Sequence, residues 1–156
     1  MIKNFIKKLF KIKNIFLKTF LFIIFFNFTT YAYSPIYNDV SDTTKLLACL
    51  IYAEAGIEDR EGKVYVADSV LNRMNSTNPY WPDTIEGVIY QKGHYACVDD
   101  GNLKKAFSEV TDECFEVAIQ ELNSITNTDI IYFRTKKYSK WGTPLFKHGH
   151  HYFSKE

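Results

Sequence analysis

Cysteine is scarce in this 156-residue chain, with only Cys49, Cys97 and Cys114. An odd count excludes a closed framework of intrachain disulfides. Cys49 lies among apolar neighbours and reads as a buried thiol. Cys97 and Cys114 are the pair that could bridge in an oxidising compartment. No apolar run approaches the roughly 20 residues that a membrane-spanning helix needs. Low-complexity linkers and internal repeats are missing, so nothing past the N-terminal segment divides the chain. No HExxH helix is present, which removes the commonest zinc-hydrolase signature.

Acidic residues are missing from the first thirty positions, which hold six lysines (Lys3, Lys7, Lys8, Lys11, Lys13 and Lys18). The apolar run "FLFIIFF" follows at 20–26, and then Thr30 and Ala32 two positions apart. A basic stretch, a short apolar core and a small-residue exit predict a secretion signal over 1–32. A lead-in over 33–45 and one domain over 46–156 complete the expected organisation, in a secreted or envelope-located protein. Removing the signal leaves 13 basic against 18 acidic residues, a formal charge of −5. Such a domain is a poor match for nucleic acid. It also lacks a polybasic grip on membranes, so no stable membrane insertion is expected after cleavage. Its partner is expected to be neutral, held by hydrogen bonds and stacking.

The pattern that remains is helical first. Ser41 or Asp42 caps a helix that runs to about Ala55 and stops at Gly56. A second helix is expected over Arg60–Met74, with Val64, Ala67, Leu71 and Met74 as its apolar stripe. Asp83 begins a short third helix with Glu86 three residues on, and it ends near Tyr90. "QKGHYACVDDGN" reads as a long glycine-punctuated loop. A fourth helix covers about Asp112–Leu122, with Phe115, Ala118, Ile119 and Leu122 inward. "IIYFR" at 130–134 and "HHYFS" at 150–154 are strand-like and could pair. The sum is an α+β fold, helices followed by a small β segment.

One residue breaks its stripe. Glu54 follows Leu50 by four and Ile51 by three, so a carboxylate shares their helical face. It also lies in the last turn, at the negative end of the helix dipole. Both settings act against a carboxylate charge, the condition under which a glutamate serves as general acid. An acid of this kind beside aromatic loops in a secreted protein points to a glycosidic bond. A glutamate at a helix end that simply turns to solvent is the competing reading.

Four blocks then carry a resemblance: "IYAEAGIEDREGKVYVADSVLNRM", "IEGVIYQKGHYACV", "IYFRTKKYSKWGTP" and "HGHHYF". In order and spacing they resemble the cell-wall hydrolase family of the spore cortex-lytic type, typified by SleB and CwlJ. The similarity covers about Leu46 to Phe153. Its most specific part is the first block, with the Ala-Glu-Ala element, Glu61-Gly62 and Val70-Leu71-Asn72-Arg73. The resemblance implies a compact lysozyme-like, lytic-transglycosylase-like domain. It implies cleavage of peptidoglycan glycan strands between N-acetylmuramic acid and N-acetylglucosamine, with a spore-cortex role in germination. The family's acid falls on Glu54. The chain departs from the family at His94-Tyr95-Ala96 and at Gly149-His150-His151, which puts the glycan preference in doubt. It carries no separate peptidoglycan-binding domain, so targeting would rest on this domain or on an accessory wall or spore protein.

No second carboxylate stands out, since Asp68 reads as a solvated face residue and Asp99 and Asp100 as loop residues. A hydrolase needs two such groups, whereas a lytic transglycosylase needs one, and neither needs a metal or cofactor. Tyr90, Gln91, His94, Tyr95 and His151 are the candidate substrate-binding residues. Asn72 and Arg73 are expected to brace a helix end, and Trp81 and Trp141 to lie in loops. Alternation places His148 and His150 on one strand face, short of a metal site. A cysteine amidase or peptidase using Cys97, and a glycan-binding module without catalysis, remain as alternatives.

Overall fold

A computed structural model describes residues 40–156. The predicted signal at 1–32, and residues 33–39 of the lead-in, lie outside the described residues; positions 41–45 of that lead-in are already the cap and first turn of a helix. Among the described residues six helices precede three strands: α1 (Asp42–Ala55), α2 (Arg60–Met74), α3 (Ile85–Tyr90), α4 (Ala96–Asp99), α5 (Asn102–Glu109), α6 (Asp112–Asn123), then β1 (Tyr132–Arg134), β2 (Thr143–His148) and β3 (His151–Lys155). No described helix is long and apolar enough to cross a membrane.

Side-chain caps set the ends of the first two helices. Ser41 accepts from Thr44 N at 3.2 Å and starts α1. Asp59 accepts from Gly62 N at 2.9 Å and starts α2, satisfying amides that the helix leaves free. Leu47, Ala48, Cys49, Leu50 and Ile51 are all fully buried in α1, against α2, α5 and α6. α2 is buried over most of its circumference from Gly62 to Arg73. It packs against α1, α3, α6 and β1, so it is the central post of the domain.

Several expectations shift. Thr84, not Asp83, caps α3 and accepts from Gly87 N at 3.0 Å. The long loop after α3 contains α4, and α5 follows it without having been read as a helix. α5 buries little besides Leu103 and Ala106 and starts from Gly101 at φ 83°, so its apolar pattern is too short to register. On α6 the inward face is Cys114, Phe115, Val117, Ala118 and Glu121, while Ile119 and Leu122 are exposed. The helix is turned because Glu121 has buried partners that take the place of an aliphatic contact. Cys97 and Cys114 are free thiols, as is Cys49.

The sheet order is β1-β3-β2, antiparallel throughout. β1 and β3 pair as the two aromatic segments predict, with Phe133 opposite Phe153. β2 is the unexpected strand. Its register slips between Pro144 and Phe146, where proline cannot donate to a ladder. Phe153, fully buried on the central strand, meets Tyr65, Phe133 and Phe146 and ties the sheet to α2.

Candidate active site

Glu54 sits in the last turn of α1, half-buried. The stripe continues through fully buried Ala55. The turn of helix that carries Glu54 opens onto a hollow of about 390 Å³, lined by Tyr52, Ala53, Glu54, Gly56, Ile57, Asn102, Lys105 and Glu109. Its far wall is α5, the helix not read from sequence. Ile57 is 85 % exposed on the rim, an apolar surface with nothing packed over it among the described residues. Glu109 pairs with Lys105 at 3.3 Å.

Three other groups feel the charge of Glu54. Burial pushes the Cys97 thiol strongly up, and the Glu54 carboxylate beside it pushes the same way. Such a thiol holds almost no thiolate at neutral pH, so Cys97 is a poor nucleophile and a cysteine-protease reading loses its central group. Tyr95 is 2 % exposed, and its hydroxyl accepts from Arg73 Nη1 at 2.8 Å. His151, 2 % exposed at the start of β3, feels the charges of both Glu54 and Glu58.

Glu58 is the residue that sequence reasoning missed. It is 8 % exposed, on the short turn between α1 and α2. Its Oε1 accepts from the His150 backbone N–H at 3.1 Å and from His150 Nδ1 at 2.7 Å. Burial raises its pKa, but the His150 side-chain and backbone bonds and the charges of His150 and His151 together bring it below the usual carboxylate value. Next to it Asp59 meets His148 Nε2 at 2.8 Å. The Gly62 amide and that histidine hold Asp59 below its ordinary value. His148 and His150 therefore grip two different acids from a hairpin turn rather than sharing a strand face. Lys63 donates to the Glu58 carbonyl at 2.7 Å and to Glu113 at 2.7 Å. The backbone beyond Glu54 is thus held from three sides.

Gly149 makes that docking possible. It has φ 51°, and a Cβ built there would sit 1.7 Å from Glu58 Oε2. Gly149→Ala is expected to destabilise the fold by about 1–3 kcal/mol, from left-handed strain and displacement of the Glu58 carboxylate. Thermal melting checks it; an unchanged midpoint would show that the turn is not locked against Glu58.

The remaining predicted site residues fall elsewhere. Gln91 donates to the Tyr80 carbonyl at 2.9 Å, and His94 Nε2 meets Tyr80 Oη at 2.8 Å. His94 also packs edge-on against Trp81. Burial first, and then Arg73, hold His94 below its ordinary pKa. Arg73 joins this group to Tyr95: it lies 4.8 Å from the Trp81 ring centroid and donates to the Ile131 carbonyl at 2.8 Å. Asn72 donates to the carbonyls of Asn127 at 2.7 Å and Ile130 at 2.9 Å. The expected bracing is real, but it braces the approach to β1. Trp81 is buried and Trp141 is 71 % exposed. Tyr90 lines a separate hollow of about 320 Å³ with Asp42, Thr43, Lys45, Leu46, Glu86 and Phe107. The structure thus buries Tyr95 and His151 where each feels the Glu54 charge, and leaves Tyr90 out of the Glu54 hollow.

The chain is 32 % identical over 117 residues to a spore cortex-lytic enzyme of Oceanobacillus iheyensis, covering 71 % of this chain and 41 % of that protein. It is 30 % identical over 115 residues to the spore cortex-lytic enzyme of Bacillus subtilis, covering 70 % of this chain and 36 % of that one. The chain thus spans about two fifths of the length of these relatives. Its fold matches the solved catalytic domain of the germination-specific lytic transglycosylase SleB from Bacillus anthracis, with TM-score 0.62 and 26 % identity, covering 76 % of this chain and 98 % of that domain. The catalytic domain of Bacillus cereus SleB matches with TM-score 0.61 and 26 % identity, over 80 % of this chain and 99 % of that one. The α+β, lysozyme-like fold expected from the sequence is the fold of these catalytic domains. A family model described as cell wall hydrolase matches residues 57–154, and the protein belongs to that family.

Proposed function

We propose that this protein is a peptidoglycan lytic transglycosylase that cuts the glycan strand between N-acetylmuramic acid and N-acetylglucosamine. Glu54 is its single proton-transferring group. The observation that carries this reading is the isolation of Glu54. In its hollow the other carboxylate, Glu109, is paired with Lys105. Glu58 is held by His150 behind the wall. A hydrolase would need a second open carboxyl group roughly 5–10 Å away to act as nucleophile or to activate water.

Glu54 donates its proton to the leaving glycosidic oxygen as the bond from the muramyl C1 breaks. The carboxylate so formed takes the proton of the muramyl C6 hydroxyl as that oxygen closes on C1. The products are a 1,6-anhydro-muramyl end and a new free sugar hydroxyl, with Glu54 protonated again. No water is consumed and no cofactor enters the balance. Tyr52, Ile57 and Asn102 line the hollow and are placed to meet sugar. His94 and Gln91, held beside exposed Tyr80, are assigned to a more distant part of the strand, and Tyr90 to a flanking surface. Tyr95, buried and bonded to Arg73, is assigned to packing rather than to sugar contact. The segment 1–32 delivers the domain to the envelope, and the names of the relatives point to spore cortex as the wall layer attacked.

Mass spectrometry of fragments released from purified cortex and vegetative peptidoglycan tests this reading. Anhydro-muramyl ends are the expected product. Reducing ends in their place would mean hydrolysis, and no release from either substrate would overturn the assignment.

A further inference from the structure

The formal charge of −5 averages two unlike halves. Residues 40–129, which hold all the described helices, carry seven Lys and Arg against sixteen Asp and Glu. Residues 130–156, which hold the sheet, carry six Lys and Arg against one acid, Glu156. Among the described residues none of those six cations is in an ion pair. Strand register gathers part of this charge. Tyr152 on the central strand stands opposite Arg134 of β1 and Lys147 of β2, and residues paired in this way share a sheet face. The next residue, Phe153, is turned onto Tyr65 of α2, so the row Arg134–Tyr152–Lys147 lies on the outer face. Lys147 Nζ is 5.5 Å from the Tyr152 ring centroid, and Tyr138 meets that ring edge-on at 5.1 Å. The connection between β1 and β2 carries a second such pair, with Lys140 Nζ 4.3 Å from the ring centroid of exposed Trp141. Buried Ser139 anchors it by accepting from the Trp141 amide at 3.2 Å. Arg134, Lys140 and Lys147 are all exposed.

We propose that this outer sheet face is a docking surface for the acidic stem peptides of peptidoglycan, the row Arg134–Tyr152–Lys147 forming its centre. Charge complementarity selects the occupant. A stem peptide hangs from the muramyl sugar and carries free carboxylates. A carboxylate fits the planar fork of Arg134 through two parallel bonds, and Lys147 adds a point charge beside it. The rings of Tyr152 and Trp141 offer apolar surface to the methyl groups of the same peptide. The acid-rich helical half repels these carboxylates, so the charge division orients the domain as well as holding it. The row stands one residue pair from the turn in which His148 and His150 grip Asp59 and Glu58. The segment so gripped directly follows the helix of Glu54. Peptides held on the sheet keep the wall on the domain while Glu54 cuts. The inference rests on the reading of peptidoglycan as the substrate.

Sedimentation with insoluble peptidoglycan, freed of other anionic polymers, tests it. The double variant Arg134→Gln, Lys147→Gln is expected to bind about tenfold more weakly than wild type at low salt. The gap is expected to close near about 1 M salt, where exposed charges are screened. Lys104→Gln removes an exposed cation from the helical half and is expected to change binding less than about twofold. Equal binding by wild type and the double variant overturns the inference, and so does an equal loss in Lys104→Gln. A second measurement uses the wild-type protein alone and does not depend on how a variant folds. Converting the stem-peptide carboxylates of the wall to amides is expected to bring wild-type binding down to the level of the double variant. Binding that survives amidation overturns the proposal. Binding that appears only when phosphate-bearing wall polymers are left in place overturns the choice of occupant. Release of anhydro product is read on the same wall. Carboxylate-dependent binding without release overturns the transglycosylase reading alone, whereas release with an indifferent double variant overturns this inference alone.

Discussion

Glu54→Gln is expected to lower glycan release by at least about 10³-fold while binding to peptidoglycan and the melting temperature stay near wild type. The amide has the shape of the acid but cannot give a proton to the leaving oxygen or take one from the C6 hydroxyl. Each proton transfer accounts for about 10²–10⁴ in rate, and one side chain serves both. Folding should tolerate the change because Glu54 is half-buried on the wall of an open hollow. Its neighbour Cys97 keeps a polar partner in either form. The measurement is release of soluble fragments alongside pull-down on insoluble wall. A rate within tenfold of wild type would take the chemistry away from Glu54 and send the search to Glu109, which faces the same hollow. Retained binding with lost cleavage also distinguishes an enzyme from a glycan-binding module, which would lose nothing.

The largest expected effect on stability comes from two acids that no sequence pattern marks. Asp68 on α2 and Glu121 on α6 are both fully buried, and Asp68 lies against Glu121. Asp68 was expected to be solvated. Instead it accepts from Asn127 N at 3.1 Å and Asn127 Nδ2 at 2.9 Å. Glu121 accepts from Thr126 N at 2.7 Å and Thr126 Oγ1 at 2.8 Å. Together they pin the segment between α6 and β1. Burial, and then the bond to Glu121, push Asp68 up to about 8, against the Asn127 donors. The folded protein thus holds a proton that the unfolded chain releases near pH 4. Between about pH 4 and pH 8 the folded state binds more protons, so this pair's contribution falls as pH rises, by up to about 1.4 kcal/mol per unit. Above that window the loss is complete.

Asp68→Asn reproduces the neutral form, with an N–H for Glu121 and an oxygen for Asn127. It is expected to flatten the decline and to be the more stable protein at pH 8. Urea titrations at pH 5 and pH 8 decide this: parallel curves for the two proteins would show that the pair holds no extra proton. Glu58 and Asp59 act in the opposite direction. Their depressed values mean that their support is present above the usual carboxylate range and is lost as pH falls through their folded-state values, which lie below it.

A cap and a glycine stop made α1 legible, and a long apolar stripe made α2 so, while the Asp59 cap of α2 came only with the structure. α5 was not, since two buried residues and a glycine start leave little pattern. β2 was hidden by Pro144 and by a mostly exposed face. The face of α6 was misjudged because Glu121 reads as a surface letter, while its burial depends on Asp68, fifty-three positions earlier. The same difficulty concealed Glu58. Its partner His150 is 92 residues away in sequence, and spacing carries no information over such a gap. Two adjacent acids and a histidine-rich turn are complementary in charge, and that was the one signal available. Glu54 was legible for the opposite reason: it interrupts a stripe formed by its own helix.

The sheet order gives the latest of the described strands in sequence a central place. β3 lies between β1 and β2, and it is the strand that carries His151. During synthesis, a chain made from its N-terminus presents α1 and Glu54 before β3. The hairpin and sheet that close behind Glu54 wait for residues 150–155. Until these arrive, Glu58 and Asp59 lack their histidines and β1 has no neighbouring strand. The turn that carries Glu58 and Asp59 is therefore fixed only once β3 has been made, and a partly made molecule carries Glu54 next to a turn that still lacks its partners.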